Sequence, residues 1–410
     1  MSRGAHPDAK RIGRAPDALV FLVIVAGVWF AWQIVCNALV LTAPPDLALR
    51  LAPDSPDALT RAAQADLVAG RNETARRLAG RALSRQPFNV QALRIAGFVA
   101  DREGDNAAAD RMITLAGNWS LRDSPAHSWL VRQRYQQGQS ASALAHADTL
   151  MRRRVEVWPT YFDLMIALAL RNDVQAQAAM VGLMRRDPHW RNSFFEHAVQ
   201  KPEGVAVAAA LAIALKDGPH HITPGERSLV YDGVMRIQRP DLMRKLRNDL
   251  EGAGRPVLTA GDFSSAGQPP FGWRLPSAAG VLSEIAQDVD RGQPALHALV
   301  SNLGGEIVAE QLVLLTPGRW HLSGRVHLDQ GDQSSRFAWT LTCSPGSGES
   351  PAVNVPLKVT KNSTWTQFSQ AIDVPAELCD AQWLRLVSLP QDRRDTAEIW
   401  IDDLTLRPVR

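Results

Sequence analysis

The stretch "RWHLSGRVHLDQ", Arg319 to Gln330, decides the fold of the last part of this 410-residue chain. Its apolar side chains share one face of an extended segment, and they are Trp320, Leu322, Val326 and Leu328. Arginine, histidine and serine side chains alternate with them on the other face. A period of two is typical of a half-buried antiparallel strand. The stretch therefore predicts a sheet that faces a core on one side and water on the other.

Neighbouring stretches repeat this alternation. They are "RFAWTLTC" from Arg336, "WLRLVSL" from Trp383 and "AEIWI" from Ala397. Turn-forming stretches such as "TPGRW" and "SPGSGES" separate them. About eight strands in roughly 150 residues predict a two-sheet antiparallel sandwich of the jelly-roll type.

Before about Gly254 the apolar spacing is helical instead. Four positions recur every 34 residues in similar surroundings, and they are Gly70, Gly104, Gly138 and Asn172. A helical pattern precedes and follows each of them, and Gly or Asn tolerates the left-handed backbone that ends a helix. Fixed spacing of this kind predicts an α-solenoid of helix-turn-helix repeats.

This repeat resembles the tetratricopeptide repeat. The glycine of the turn, the alanines of the helix contact and the closing proline are present as Gly70, Ala75, Ala82 and Pro87. The resemblance implies a concave face that binds peptide segments or another protein. The alternative is that the array serves only as a spacer or as a docking platform for the next domain.

An uncharged run precedes the repeats. Residues 18–43 read "ALVFLVIVAGVWFAWQIVCNALVLTA" and exceed the roughly 20 residues that cross a membrane as a helix. The basic residues before the run are Arg3, Lys10, Arg11 and Arg14. Because basic flanks stay in the cytoplasm, the rest of the chain is expected in the periplasm of a bacterial inner membrane.

The competing interpretation of this run is a cleavable signal peptide. Its apolar core is longer than such peptides have, and "TAPPD" places proline just after the best cleavage site. An uncleaved, single-pass anchor is therefore expected, with Cys36 as an apolar membrane residue. The predicted parts are a tail at 1–17, the helix at 18–43, the repeats at 46–254 and the sandwich at 255–410.

The region from Ala260 to the end of the chain resembles the carbohydrate-binding-module jelly rolls of the galactose-binding-like group. The blocks that carry the resemblance are "AGDF", "PALHALVSN", "AEQLVLLTPGRWHLSGRVHLD", "STWTQFSQAIDVP" and "IWIDDLTL". The resemblance implies a multidomain α + β chain whose sandwich either binds sugar or serves as a domain that binds none.

The same resemblance implies a structural calcium ion beside the closing strand. Asp402 and Asp403 are the acidic pair there, and Asp262 on the opening segment is the third candidate ligand. Calcium needs six to eight oxygens, and Ser264 stands where a further carboxylate would strengthen the site. The alternative is a β-bulge whose aspartates accept turn hydrogen bonds.

If the sandwich binds sugar, rings stack on exposed aromatics while planar polar groups bond hydroxyls. Trp273, in the loop "PPFGWRLP", is the first candidate for stacking. Arg325, His327 and Arg336 on the polar face are the secondary candidates.

Cys343 and Cys379 both fall in the sandwich, where an oxidising compartment permits them to pair. A disulfide closing that loop would stabilise the fold by about 3 to 4 kcal/mol in the chain-entropy model. The alternative is two separate buried thiols.

Other function classes find little support. A net charge of +3 without a basic tract excludes a nucleic-acid partner, and the common nucleophile, metalloprotease and phosphate-loop motifs are absent from the sequence. The sequence thus predicts a non-enzymatic, membrane-anchored envelope scaffold with protein partners, active in polysaccharide assembly or export. The alternatives are a pure protein-interaction scaffold, whose jelly roll packs on its own solenoid or on a partner, and an accessory subunit of a glycan-processing enzyme.

Overall fold

The computed structural model describes residues 16–171, 173–288, 291–328, 336–343, 353–357, 364–376, 379, 381–394 and 396–409. The predicted repeat position Asn172 lies outside these residues. The chain forms two compact units, one ending at Arg153 and the other beginning at Arg154.

The first unit is helical. Its helices are α1 (Pro16–Thr42), α2 (Pro45–Leu51), α3 (Pro56–Val68), α4 (Asn72–Arg85), α5 (Val90–Arg102), α6 (Asn106–Trp119), α7 (Ser124–Gln136) and α8 (Ser140–Met151). From α3 onward they form helix-turn-helix pairs. The turns contain Gly70, Gly104 and Gly138, whose φ angles are +76°, +84° and +71°. These left-handed values are accessible to glycine at little cost, which explains the residue type at each turn.

Helix α1 is the apolar helix predicted from the sequence. Val20–Thr42 has a mean hydropathy of 2.0, and no residue in its most apolar stretch is buried by the rest of the structure. The helix is therefore long and apolar enough to cross a membrane. A signal sequence near an N-terminus can meet the same criteria of length and apolar composition, and neither property fixes an orientation.

The pairs begin with a recurrent cap. The N-cap residues of α3, α5 and α7 are Ser55, Asn89 and Asp123, again 34 residues apart. Each side chain accepts a hydrogen bond from the backbone N–H three residues later. Caps of this type contribute about 1 kcal/mol each. The corresponding position in the next pair is Val157, which has no side-chain cap.

The second unit starts with a single 3₁₀ turn at Val155–Val157. Six helices follow: α9 (Trp158–Leu170), α10 (Val174–Met184), α11 (Arg191–Ala198), α12 (Pro202–Ala214), α13 (Pro224–Arg236) and α14 (Pro240–Glu251). A buried ion pair, Arg191 with Glu226 at 2.7 Å, joins α11 to α13.

Nine strands then build a sandwich within the described residues. They are β1 (Val281–Gln287), β2 (Pro294–Val300), β3 (Ile307–Val313), β4 (Gly318–Leu328), β5 (Phe337–Cys343), β6 (Val353–Pro356), β7 (Thr366–Val374), β8 (Gln382–Ser388) and β9 (Ala397–Pro408). The five-stranded sheet has the order β1-β2-β9-β4-β7, and the four-stranded sheet has the order β3-β8-β5-β6. Neighbouring strands are antiparallel throughout. The predicted antiparallel sandwich is confirmed.

The core lies between the two sheets. The alternation predicted for β4 is confirmed, because Trp320, Leu322, Val326 and Leu328 all belong to the core. A bulge interrupts the pairing of β4 with β9 between Ser323 and Arg325. The bulge predicted near the end of the chain is therefore present, and Asp403 adopts a φ of +53° there.

The sandwich packs on the last helices of its own unit. Phe271, in the segment before β1, packs edge-on against Tyr231 of α13 with ring centroids 5.1 Å apart. The Arg247 guanidinium of α14 lies 4.6 Å above the same ring. Arg274 bonds Glu310 on the outward side of β3 at 3.1 Å and lies 4.0 Å from Asp232 of α13. The four-stranded sheet therefore faces the helices.

Candidate functional site

The outer surface of the five-stranded sheet carries a row of ring and charged side chains. Strand register places Glu284 beside His297, His297 beside Trp400 and Trp400 beside His327. All four alternate with side chains that point into the core. Trp365, just before β7, extends the row because its ring centroid lies 5.8 Å from that of His327. We name these five residues the outer-face row.

Contacts within the row hold its rings in place. The His297 and Trp400 rings stack with centroids 4.2 Å apart and planes 20° apart. The nitrogens of His297 lie 2.8 Å from a Glu398 oxygen and 3.3 Å from a Glu284 oxygen. Two carboxylates on one imidazole fix its orientation, so the stacked pair forms a rigid patch.

Arg291 borders the row at its other end. Its guanidinium lies 5.0 Å from the centroid of the Trp365 ring, a cation–π distance. The Trp365 indole N–H donates to Asp288 at 3.2 Å, and the same Asp288 oxygen accepts the Arg291 backbone N–H at 2.8 Å. The partly exposed Trp365 ring is thus held by Asp288 at its N–H edge and by Arg291 near its face.

The carboxylates Asp402 and Asp403 are held by arginines. The Arg291 Nη1 donates to Asp402 at 2.7 Å, and its Nη2 donates to Asp403 at 3.3 Å. The Arg325 Nε lies 3.3 Å from the same Asp403 oxygen. Burial raises the pKa of Asp402 above its ordinary value, while the Asp403 N–H and Arg291 act in the opposite direction. Ionised Asp402 therefore depends on its arginine partner.

These residues do not fit the calcium ion that the resemblance implies. The Asp402 side chain is 4% exposed, and the nearest cation to it is the Arg291 guanidinium. Asp262 accepts hydrogen bonds from Ser264 instead, at 3.3 and 3.1 Å. No group of three His, Cys, Asp or Glu side chains that could hold a metal occurs in the part of the chain that the structure describes.

Trp273 lies in the core and not on the surface. It is 2% exposed, and its ring stacks on Phe263 with centroids 5.2 Å apart. Its indole N–H donates to the Ala260 carbonyl at 2.9 Å. The prediction that Trp273 stacks on sugar from an exposed loop is therefore corrected. A ring that satisfies its one donor internally anchors the loop.

The three polar candidates are not brought together. Arg325 and His327 lie on the outer side of β4, where Arg325 has a side chain that is 51% exposed and His327 is buried beside Trp365. Arg336 is 3% exposed at the start of β5, in the other sheet, where it donates to the Asn302 carbonyl. Arg336 thus has a structural position, while Arg325 borders the outer-face row.

Cys343 and Cys379 form a disulfide in the structure, with Cα atoms 4.8 Å apart. The bond joins the end of β5 to the segment before β8. It lies in the four-stranded sheet and contributes no side chain to the outer-face row.

Sequence reasoning missed His297, Trp365, Trp400 and Arg291. A signal for Trp400 was present, because Ile399 and Ile401 on either side of it point inward. A tryptophan in the outward phase of a strand has no core to fill and needs another partner. Arg291 had no such signal, because its contact with Asp402 spans 111 residues of sequence.

The row can hydrogen-bond and stack but offers no evident reaction chemistry. Exposed polar groups at its edges include Arg325, Asp403 and Glu284. Planar groups around aromatic rings are the elements with which proteins bind polar ring compounds.

Comparisons with known proteins give only distant similarities. A scan of protein-family models finds no match. A search of curated proteins finds none either.

Solved structures that are similar to this chain cover its C-terminal β domain. A putative sugar binding protein from Bacteroides thetaiotaomicron has a TM-score of 0.29 and 10% identity, over 38% of this chain and 100% of that one. The CBM22-1 xylan-binding domain from Paenibacillus barcinonensis Xyn10C has a TM-score of 0.27 and 17% identity, over 37% and 92%. The enzymatically active domain of Bacteriophage CBA120 tailspike protein 4 has a TM-score of 0.29 and 10% identity, over 38% of this chain.

The chain covers about a fifth of the tailspike protein, 21%. TM-scores this low carry no argument about function.

Proposed function

We propose that the protein is a membrane-anchored, non-catalytic scaffold of the bacterial envelope whose sandwich binds a polysaccharide on the outer-face row. In this proposal α1 anchors the chain in the inner membrane and the remainder lies in the periplasm. The helical repeats, of tetratricopeptide type, bind a protein partner in polysaccharide assembly or export.

One observation carries the glycan part of the proposal. The outer side of an antiparallel sheet normally needs only scattered polar residues to face water. Here that side has two tryptophans, two histidines and an arginine in contact. His327 and Trp400 are buried, at 4% and 8% exposure, so Trp365 is the ring that remains partly open to solvent, with exposed Arg325 beside it. Sugars present the apolar ring faces and hydroxyls that match a ring and a guanidinium placed in this way.

The second candidate is a pure protein-interaction scaffold, which the packing of the sandwich on α13 and α14 favours. That packing uses Phe271, Arg274 and the outward side of β3. Because it occupies the four-stranded sheet, it leaves the outer-face row on the opposite sheet. Both roles are therefore compatible with the geometry.

Glycan binding is tested with the full-length chain in nanodiscs on an array of bacterial envelope polysaccharides. Trp365→Ala and Arg325→Ala are each expected to weaken binding about tenfold, which corresponds to about 1.4 kcal/mol for a lost stacking or charge-assisted contact.

Trp119→Ala is the matched control, because Trp119 is 41% exposed in the helical unit and lies outside the sandwich. Equal binding by all variants, or binding to no polysaccharide, would leave the pure scaffold as the better description.

A further inference from the structure

A polar cleft of about 470 Å³ lies between α13, the end of α14 and the segment that enters the sandwich. It belongs to the second unit and is separate from the outer-face row. Its charged lining residues are Arg227, Glu251, Arg255 and Asp262. Ser264, Ser265 and Gln268 add uncharged polar groups.

The sandwich side of the cleft is fixed by backbone and core contacts. The Gln311 side chain exchanges two hydrogen bonds with the Thr259 backbone, at 3.1 and 2.9 Å. The Trp273 backbone N–H donates to the Ala266 carbonyl at 2.6 Å, and Gly272 donates to Gln268 at 2.7 Å. A wall with this many internal bonds is organised before a ligand arrives, which lowers the entropic cost of binding.

Arg227 is the unusual group in the cleft. Its Nε is buried and has no hydrogen-bond partner among the described residues, although the side chain as a whole is partly exposed in the cleft. Glu251 acts on it only at longer range, since that carboxylate accepts the Tyr231 hydroxyl at 3.2 Å and lies 4.0 Å from Arg247. A guanidinium has five N–H donors, and a buried donor without an acceptor costs about 1 to 3 kcal/mol.

The unsatisfied Nε of Arg227 indicates what the cleft would accept. A carboxylate binds a guanidinium through two parallel hydrogen bonds, and the second arginine of the cleft, Arg255, supplies another positive charge. Asp262 and Gln268 can bond hydroxyl groups beside it. The volume lies in the range of small-molecule sites and accommodates one or two sugar rings, and the predominantly polar lining disfavours an apolar ligand.

We infer that this cleft binds a uronic acid unit of an acidic saccharide, with its carboxylate on Arg227. The choice of a saccharide rests on the proposed function, whereas the requirement for an anionic group rests on Arg227 alone. A protein that binds polysaccharide on one sheet would thereby distinguish acidic from neutral polysaccharides at a second site.

The test is calorimetric titration of the full-length protein in nanodiscs with a galacturonic acid trimer and with the neutral galactose trimer. We expect the acidic trimer to bind at least tenfold more tightly. Arg227→Gln should remove that preference, and Arg227→Lys should retain part of it because the charge remains without the planar fork.

Arg239→Gln is the matched control, since Arg239 pairs with exposed Asp241 at 2.6 Å on the turn between α13 and α14 and does not line the cleft. Circular dichroism spectra and melting temperatures identify any variant that fails to fold. An unchanged preference in folded Arg227→Gln overturns the inference, as does inorganic phosphate that binds as tightly as the trimer.

Trp365→Ala distinguishes this inference from the proposed function. If the acidic preference depends on Trp365 and not on Arg227, the cleft assignment fails while glycan binding by the outer-face row stands. If neither trimer binds and the polysaccharide array is also negative, both fail.

Discussion

A single arginine stabilises the acidic end of the chain. Arg291 bonds both Asp402 and Asp403, and its side chain is only 20% exposed. The sequence predicted that the two aspartates matter and predicted the bulge that holds them. It did not predict an arginine as their partner, because a contact across 111 residues leaves no local pattern.

Arg291→Met is expected to destabilise the sandwich by about 3 kcal/mol, because it leaves a buried carboxylate without its partner. Calorimetric melting of the full-length protein measures the loss. The double variant Arg291→Met/Asp402→Asn should recover part of it, since the unpaired charge is then gone. A double variant as unstable as the sum of the single variants would contradict the role of the pair.

Two histidines face each other in the first unit. The Nδ1 atoms of His127 and His146 lie 3.0 Å apart, and His127 is buried. Burial, together with smaller effects of the neighbouring His127 and Arg134, lowers the pKa of His146 to about 4. Burial also lowers the pKa of His127, against opposing effects of Ser120 and Asp123. Neither histidine was singled out by sequence reasoning.

The lowered values predict an acid-sensitive helical unit. Between the ordinary histidine pKa of 6.5 and about 4, the unfolded chain binds a proton that folded His146 does not, so stability falls as pH falls through this window. Circular dichroism melts across the window should show a declining melting temperature. His146→Gln should flatten the decline, whereas exposed His221→Gln should not; equal slopes in both variants would contradict the prediction.

Whether a tryptophan joins the main core of the sandwich could be predicted from the sequence for Trp400 but not for Trp273. Trp273 and Trp400 both stand in apolar surroundings in the sequence, yet one is inside the core and the other stacks on His297 outside it. Strand phase distinguishes Trp400, because its neighbours alternate regularly. Trp273 lies in a loop without a period, so only tertiary packing decides its burial.

At the scale of elements, the turn glycines of the helical repeats were predictable because their φ values demand that residue type. The 34-residue series of N-caps at Ser55, Asn89 and Asp123 went unnoticed, although each is a strong capping residue. The series ends at Val157, one element after the compact unit closes at Arg153. The missing side-chain cap at Val157 therefore lies closer in sequence to the boundary at Arg153 than does Asn172, which stands in the place of the turn glycine.

Two helical glycines, Gly97 and Gly80, test how closely the helices of a pair are packed, because a side chain would clash at the first and not at the second. A Cβ at Gly97 of α5 would lie 2.6 Å from Ile113 Cγ1 on α6, so Gly97→Ala is expected to cost about 1 to 2 kcal/mol by overpacking. At Gly80 of α4 a Cβ meets nothing within 4 Å, and Gly80→Ala should stabilise by about 0.5 to 1 kcal/mol through helix propensity. Denaturant melts of both variants measure the two signs. Stabilisation by both substitutions would show that α5 and α6 can move apart.

At the scale of the whole molecule, the proposed function requires that α1 is retained as an anchor and that the residues after it are periplasmic. Under that proposal, alkaline phosphatase fused after Arg85 should be active in a bacterial host, because basic residues that flank membrane helices favour the cytoplasm. N-terminal sequencing of the membrane-bound protein should show that the residues of α1 are still present. An inactive fusion would reverse the orientation, and a mature chain beginning near Ala43 would identify a signal peptide.

The packing of α13 and α14 on the segment before β1 also has a consequence for how such a gene can be recombined. An exchange with its crossover just after α14 would separate Phe271 from Tyr231 and Arg247 and expose its apolar ring to solvent. The block that keeps these contacts runs from α13 to the end of the sandwich, and it lies within the unit that begins at Arg154. Recombined chains should therefore fold best when no crossover falls between α13 and β3.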